Sequence, residues 1–215
     1  MPAAVPDLSV EPPAADLADG SDPASTLVSG PMPEPDLAAA TDAARSFLTA
    51  LGVDLSAPGL DRTPLRMARA YAEMFHPRPF EMTTFANDEG YDEMVVAHGI
   101  GFTSVCEHHL LPFSGHATVG YLPGERIVGL SKLARVVELF ARRPQVQERM
   151  TQQVARFLAD RLAPKGVGVV LVAEHSCMTV RGVQAQGSST TTSALLGRMR
   201  EDARTRAEFL ALSGR

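Results

Sequence analysis

Two short stretches of the sequence hold residue types that bind transition metals. The first, Ser104–His109, reads Ser-Val-Cys-Glu-His-His, and the second is the tripeptide His175–Cys177. Together they contain both cysteines of the chain and three of its six histidines. Cysteine thiolates and imidazole nitrogens are the ligands that zinc prefers in proteins. This concentration predicts a metal-dependent active site.

The spacing of these residues suggests three ligands. Cys106 and His109 lie three residues apart, so on a turn both can bind one ion with Cys177. Three protein ligands and an open fourth position mark a catalytic zinc site, although iron(II) accepts such ligands too. Neighbouring side chains diverge, so one of His108 and His109 faces the ion and the other is free for proton transfer. A closed site with both cysteines and two histidines as ligands is the alternative on spacing alone.

The second stretch is interpreted as the end of a strand. The hydrophobic run 166–173 predicts a strand that leads into it. If the strand continues, side chains at period two share one face, namely His175, Cys177, Thr179 and Arg181. One strand would then present an acid/base group, a metal ligand and a cation for an anionic ligand.

Two further groups could bind a substrate. Ser131, Lys132 and Arg135 lie in the first turn of a predicted helix, where free N–H groups and the helix dipole attract anions. This favours a phosphate site, with a solvated helix start as the alternative. Gln147 and Glu148 open the following helix, where a carboxylate could accept two hydrogens from a guanidine-like ring edge. An ordinary exposed glutamate is the alternative there.

Composition limits the partners. Residues 1–35 contain eight prolines, six acidic residues and no Lys or Arg, so we expect a disordered tail. The tail therefore carries a charge of -6 and the rest of the chain +1, so the folded part can host a basic pocket. No apolar run approaches the roughly 20 residues of a membrane helix, and cysteines beside histidines suit a reducing compartment. We expect a cytoplasmic protein with neither nucleic acid nor membrane as partner.

The remaining pattern predicts an α+β fold. Helices are expected at 37–51, 63–75, from Ser131 onward, 146–162 and 201–212, with Thr63 and Ser131 as N-caps. Strands are expected at 94–96, 100–105, 115–121, 126–130, 166–173 and 190–195, with a hairpin turn at Pro123-Gly124. The chain would divide into the tail at 1–35, an N-terminal helical region at 36–92 and a catalytic region at 93–215.

These motifs closely resemble GTP cyclohydrolase I, in the same order, from about Leu37 to the C-terminus. The motifs that carry the resemblance are Ser104–His109, Gly129–Arg135, Arg143–Arg149 and His175–Gly182. The resemblance implies a tunnelling fold, in which antiparallel sheets of several subunits form a barrel with helices outside. It also implies a toroidal homodecamer whose active sites lie between subunits.

The activity that the resemblance implies is hydrolysis at a cyclic amidine C–N bond. GTP and water would give formate and 7,8-dihydroneopterin triphosphate, the first step of folate and tetrahydropterin biosynthesis. A zinc-activated water would attack C8 of guanine after His175 protonates N7, and His108 would assist opening of the ribose.

The resemblance also implies a role for each candidate residue. One zinc per subunit would be held by Cys106, His109 and Cys177. Proton transfer would fall to His108 and His175, with Ser131 at the ribose or phosphate region. The guanine edge would be bound by Gln147 and Glu148, and the triphosphate by Lys132, Arg135 and Arg181. Glu107 would either orient a metal ligand without binding the metal itself or be an ordinary polar residue of the fold.

Two other functions compete with this reading. A tunnelling-fold nitrile reductase would share base recognition by a glutamate, but it needs a nucleophilic cysteine free of zinc. A non-catalytic, zinc-stabilised subunit is the other candidate. The presence of His108, His175, Lys132 and Arg181 argues against the second, because a scaffold has no use for them.

Overall fold

The computed structural model describes residues 33–214. The predicted tail therefore lies outside the described residues, apart from its last three positions. Helices and strands occur in separate runs along the described chain. The elements in order are α1 (Leu37–Ala50), α2 (Thr63–Phe75), β1 (Thr84–Ala86), β2 (Val95–Cys106), β3 (Pro112–Leu122), β4 (Arg126–Val128), α3 (Leu130–Ala141), β5 (Pro144–Gln145), α4 (Gln147–Leu162), β6 (Gly166–His175), α5 (Ser176–Thr179), β7 (Thr190–Gly197), α6 (Arg198–Glu201) and α7 (Ala203–Leu212).

The first two helices pack against each other, and each ends within one residue of the predicted position. The Asp36 carboxylate accepts a hydrogen bond from the Ala39 amide and caps α1. Gly52, with φ of 82°, takes the left-handed conformation that follows the helix. Thr63 is not the N-cap of α2, as predicted, but its first residue; Arg62 holds the cap position without a side-chain bond. The proline that follows supplies the first-turn geometry instead.

The five-stranded sheet has the order β5-β2-β3-β6-β7. β3 is antiparallel to both β2 and β6, β6 is antiparallel to β7, and the two-residue β5 is parallel to β2. The register pairs Phe113 of β3 with His175 of β6. A register shift between Ala97 and Ile100 lets the two strands predicted there run on as the single strand β2.

Three further local predictions are wrong. The Pro123-Gly124 segment does not close a hairpin, because both edges of β3 are occupied by β2 and β6; β4 pairs with β1 instead. Ser131 does not cap α3, which begins one residue earlier, after Gly129. The last predicted helix is split at Asp202, whose carboxylate accepts a hydrogen bond from the amide three residues later and starts α7.

The core lies between the sheet and the helices α3 and α4. Val136 and Phe140 of α3, with Met150 and Leu158 of α4, are almost completely buried. The apolar stripe predicted for α4 therefore packs as expected. Among the described residues, no helix has the length and apolar character needed to cross a membrane.

In a second cluster, α7 packs closely against the sheet at two positions that are occupied by glycine. The ring of Phe209, fully buried, lies where a side chain at Gly168 would be, since a Cβ there would sit 2.7 Å from ring carbons. Gly120 on β3 leaves similar room, with 2.8 Å to the same ring. These positions admit no larger residue without displacing α7.

Candidate metal centre and active site

Three ligand side chains converge at one end of the sheet. Cys106 ends β2, His109 lies in the turn that follows, and Cys177 lies in α5. One ligand atom from each lies within 4.8 Å of the other two. Among residues 33–214 no other group of three Cys, His, Asp or Glu side chains meets this condition. Two sulfurs and one imidazole nitrogen form a donor set that fits zinc.

The turn between β2 and β3 is held tightly. The Cys106 amide donates to Leu111 O at 2.8 Å, and the Leu110 amide donates to Cys106 O at 2.8 Å. Leu110 has φ of 53°, a left-handed conformation that non-glycine residues rarely adopt. The Tyr71 hydroxyl of α2 donates to Leu110 O at 3.0 Å. The helical region thereby fixes the turn that carries His109.

His108 lies close to the same cysteine. Its Nδ1 is 3.7 Å from Cys106 Sγ, the same separation as that of His109 Nδ1 from that sulfur. However, the His108 side chain is 64% exposed, and it is not part of the three-ligand group. The two histidines therefore differ in surroundings, with His109 inside the three-residue group and His108 outside it.

The prediction of a continuous strand through the second stretch is wrong. β6 ends at His175, and residues 176–179 form the single helical turn α5. Cys177 and Thr179 therefore do not share a strand face with His175. The strand stops here because its partner β3 begins at Pro112, so no further backbone pairing is offered. Arg181 lies beyond the turn, exposed, with its guanidinium 3.5 Å from Cys177 O.

His175 is held on two sides. Its ring stacks on that of Phe113, with centroids 4.5 Å apart and an interplanar angle of 4°. Its Nε2 lies 2.8 Å from Gln147 Oε1. Burial lowers the pKa of the His175 imidazole, and the negative charge of Glu148 acts in the opposite direction.

The two residues that open α4 are placed differently. Gln147 is 1% exposed, and its amide nitrogen donates to Leu171 O, Thr190 O and Thr192 Oγ1 at 3.0–3.2 Å. Both ends of this amide are thus engaged inside the chain. Glu148 is exposed. Glu148 is therefore open to solvent, whereas both polar atoms of the Gln147 side chain already have partners within the chain.

Glu107 forms an ion pair that sequence reasoning missed. Arg149 of α4 donates to both of its carboxylate oxygens, at 2.6 and 2.9 Å. The guanidinium holds the pKa of the Glu107 carboxyl below its usual range. The same carboxylate lies 3.9 Å from His108 Nε2. Arg149 could be noticed beforehand only through its place in the motif Arg143–Arg149.

The basic group lies elsewhere in the single chain. Ser131 and Arg135 line a cavity of about 900 Å³ together with His116 of β3. None of the three metal-ligand candidates lines it. Lys132 is half-buried in the first turn of α3. Within one chain, therefore, the structure does not bring Ser131 and Arg135, which were predicted to bind phosphate, to the predicted metal ligands.

The Glu138 carboxylate forms ion pairs with three arginines that line this cavity. Glu138 pairs with Arg78 at 2.7 Å, Arg135 at 3.1 Å and Arg142 at 3.1 Å. The hydrogen bond from Arg78 is the main reason that the pKa of Glu138 lies below its usual value. Three guanidinium groups and two carboxylates, those of Glu138 and Glu73, line the cavity, so it keeps an excess of positive charge.

Comparison with known proteins places the chain in a family. The family model for GTP cyclohydrolase I matches residues 40–214. The chain belongs to the GTP cyclohydrolase I family. Proteins named GTP cyclohydrolase 1 are 50% identical over 190 residues in Rhodopirellula baltica, covering 86% of this chain and 82% of that protein. The Aquifex aeolicus relative is 52% identical over 170 residues, covering 79% of this chain and 92% of its own length. The Thermobifida fusca relative is 52% identical over 175 residues, covering 79% and 84%.

Membership of the GTP cyclohydrolase I family confirms two expectations. The chain is an enzyme of this family, and its fold is the α+β tunnelling fold. The family match begins at residue 40, close to where the resemblance begins, so the first part of the chain lies outside it. The roles of individual residues are not set by these comparisons and are taken up next.

Proposed function

We propose that this chain converts GTP and water to formate and 7,8-dihydroneopterin triphosphate, with zinc bound by Cys106, His109 and Cys177. This is the first step of folate and tetrahydropterin biosynthesis, and we place it in the cytoplasm. The observation that carries the proposal is the meeting of these three ligand atoms within 4.8 Å, two residues from a histidine whose ring is held in place. Family membership supports the overall activity.

The donor set favours one zinc per subunit. When bound, zinc supplies the Lewis acidity by which enzymes activate water near neutral pH. Burial raises the pKa of the Cys177 thiol, and the neighbouring Cys106 raises it further. A cation is thus needed to keep two thiolates side by side, and its binding releases protons. Iron(II) accepts the same ligands and is the second candidate.

The two histidines outside the ligand set serve proton transfer. His175 would protonate N7 of guanine, which makes C8 more susceptible to attack by water. Its stacking on Phe113 supports this role, because a general acid must be held within hydrogen-bond reach of the atom it protonates. His108, exposed and 3.9 Å from Glu107, would assist opening of the ribose.

Substrate binding would draw on both helices. Glu148 would accept hydrogen bonds from the guanine edge; Gln147, predicted beside it, has its amide engaged with the chain. A base that lacks the matching donors would leave this carboxylate unpaired, which gives specificity. The triphosphate would be held by Lys132, Arg135 and Arg181, with Ser131 at the ribose or phosphate region.

A single chain keeps its basic cavity apart from its cysteines. We therefore propose that each active site is completed by a neighbouring subunit, which brings its own Ser131 and Arg135 to the metal centre of this one. The toroidal homodecamer that the family resemblance implies would provide such interfaces. GTP and further copies of this chain are then its partners.

The activity is tested directly. Purified, zinc-loaded protein should release formate from GTP and yield a pterin that fluoresces after oxidation. The absence of both products from fully loaded protein would reject the proposed function.

A pair of variants separates ligand from acid. Cys177→Ala should lose the metal and the activity together, whereas His175→Ala should keep the metal and lose turnover. Metal content is measured by mass spectrometry of the purified protein. Ser176→Ala, between the two positions, is the matched control and should keep both. If His175→Ala also loses the metal, the closed four-ligand site replaces the proposed one.

A further inference from the structure

The orientation of the Gln147 amide is determined by its neighbours. Its nitrogen faces the carbonyl oxygens of Leu171 and Thr190, at 3.2 and 3.0 Å. Carbonyl oxygens only accept hydrogen bonds, so the group that faces them has to be the –NH₂. Turning the amide over would set its oxygen against these two oxygens and lose both bonds.

Two threonine hydroxyls support the same orientation. The Thr151 hydroxyl donates to the main-chain carbonyl oxygen of Gln147 at 2.7 Å, and this bond uses its single hydrogen. Thr192 therefore donates in the 2.6 Å contact between the two hydroxyls. Thr192 Oγ1 is then left as the acceptor for the Gln147 amide nitrogen at 3.1 Å. The three groups form a closed ring of donors and acceptors between α4 and β7.

This orientation of the Gln147 amide determines which ring nitrogen of His175 carries the hydrogen. With its nitrogen turned toward β6 and β7, Gln147 presents Oε1 to His175 Nε2 at 2.8 Å. An amide oxygen cannot donate, so Nε2 has to carry a hydrogen. In the neutral ring the lone pair is then on Nδ1. Within residues 33–214, no hydrogen bond engages His175 Nδ1.

We propose that Gln147 is a positioning residue that holds His175 in the Nε2–H tautomer, so that Nδ1 is the atom that exchanges a proton with the substrate. The inference rests on the proposed function in that His175 is its proton-transfer residue. In the transfer, the Nδ1–H bond of the imidazolium breaks and its electron pair stays on Nδ1, while an N–H bond forms on the guanine. The ring regains its proton from water at Nδ1, and the Nε2–H bond is untouched throughout.

The ring plane is fixed together with the tautomer. Phe113 stacks on His175 at 4.5 Å with the rings nearly parallel, so rotation about the side chain would break this contact as well as the hydrogen bond. A positioned Nδ1 gains the advantage of a fixed approach to the reacting atom. The first two residues of α4 would thus serve different tasks. Glu148 would bind the guanine base, and Gln147 would orient the general acid His175.

The tautomer can be observed without turnover. Imidazole ¹⁵N chemical shifts distinguish protonated from lone-pair nitrogens, so zinc-loaded, ¹⁵N-histidine-labelled protein is measured by solid-state NMR, with His175→Gln to assign the resonances. The wild type should show Nε2 protonated at His175. Gln147→Met keeps the length of the side chain and removes the acceptor. It should give a mixture of tautomers at His175, a kcat lower by about 100-fold and a KM for GTP within about twofold of the wild type.

Gln153→Met is the matched control. Gln153 is a second buried glutamine of α4, and it accepts a hydrogen bond from Gln145 rather than from His175. The control makes the same chemical change in the same helix and should leave the His175 tautomer as in the wild type.

Three results would overturn the inference. One is a wild-type His175 protonated at Nδ1 with a bare Nε2, which is decided without any variant. The second is a Gln147→Met enzyme with an unchanged tautomer and an unchanged kcat. The third is a Gln147→Met enzyme with an unchanged tautomer and a raised KM, which would show that Gln147 contacts the base itself. Failure of the proposed function appears separately, as the absence of formate and pterin from zinc-loaded wild-type protein.

Discussion

Replacing Glu138 by glutamine should lower the free energy of unfolding. It should also remove the salt-dependent contribution that the Glu138 ion pairs make to stability. Glu138 is 15% exposed and pairs with three arginines, one from the segment after α2 and two from α3 and its end. Glutamine keeps the shape of the side chain and removes its charge. The three guanidinium groups would then lose the one carboxylate that pairs with all of them.

The size of the effect follows from how sheltered each pair is. Arg78 is 65% exposed, so water and salt screen its pair and we count nothing for it. Arg135 is 38% exposed and Arg142 26%, and each pair contributes roughly 0.5–1 kcal/mol. The free energy of unfolding should therefore fall by roughly 1–2 kcal/mol, a shift of a few degrees in Tm for a chain of this size.

Thermal unfolding of both proteins at about 0.05 M and 1 M NaCl measures this. The difference in Tm should shrink by about half or more at high salt, where the Debye length is near 3 Å. Glu208→Gln, at an exposed position of α7, is the control and should change Tm little. A Glu138→Gln protein as stable as the wild type, or a difference that salt does not alter, would refute the ion-pair argument.

The pH dependence has a definite sign. Because Arg78 and the other arginines depress the pKa of Glu138 below the usual 4.5, the folded state binds this proton less readily than the unfolded state does. The contribution is therefore complete above pH 4.5 and is lost as the pH falls through the folded-state pKa. The wild-type advantage over Glu138→Gln should disappear in acid, and an advantage that grew on acidification would contradict this account.

Three further predictions concern other parts of the molecule. Gly168→Ala should destabilise by about 1–3 kcal/mol, since the added Cβ lies 2.7 Å from a buried ring, whereas Gly101→Ala meets nothing within 4 Å and should unfold much like the wild type. Arg149→Ala should weaken zinc binding about tenfold in a competition titration, because Glu107 loses its bidentate partner. Adding Glu107→Gln to that variant should cost little more, and additive losses would show independent action. Deleting residues 1–35 should leave activity and assembly intact, as judged by turnover and light scattering; a smaller particle would assign the tail a structural part.

The candidate ligands could be named from the sequence because metal affinity is a property of the side chains themselves. Cys106 and His109 lie on one turn, so their separation along the chain already limits their separation in space. The position of Cys177 could not be derived in this way. The period-two pattern gave no sign that β6 would end at His175, because a strand ends where its partner does, and that depends on β3.

The surroundings of His175 were beyond sequence reasoning for the same cause. Phe113 and Gln147 reach it through sheet register and helix packing, from positions far along the chain. Gln147 was expected beside Glu148 at the guanine edge, and nothing in the sequence indicated that its side chain would be buried against β6 and β7. Leu110 carried no indication either, since leucine seldom adopts a positive φ, and here Tyr71 and the hairpin impose it.

The two candidate sulfur ligands are distant along the chain. Cys106 and Cys177 lie about 70 positions apart, so joining them through one ion closes a long loop, which an unfolded chain does at a considerable entropic cost. In the folded chain, the two thiols are brought together by the pairing of β3 with β2 on one side and with β6 on the other. A chain that ends before β6 lacks Cys177 altogether, so the proposed zinc could gain both sulfurs only from a chain that extends through β6 and α5.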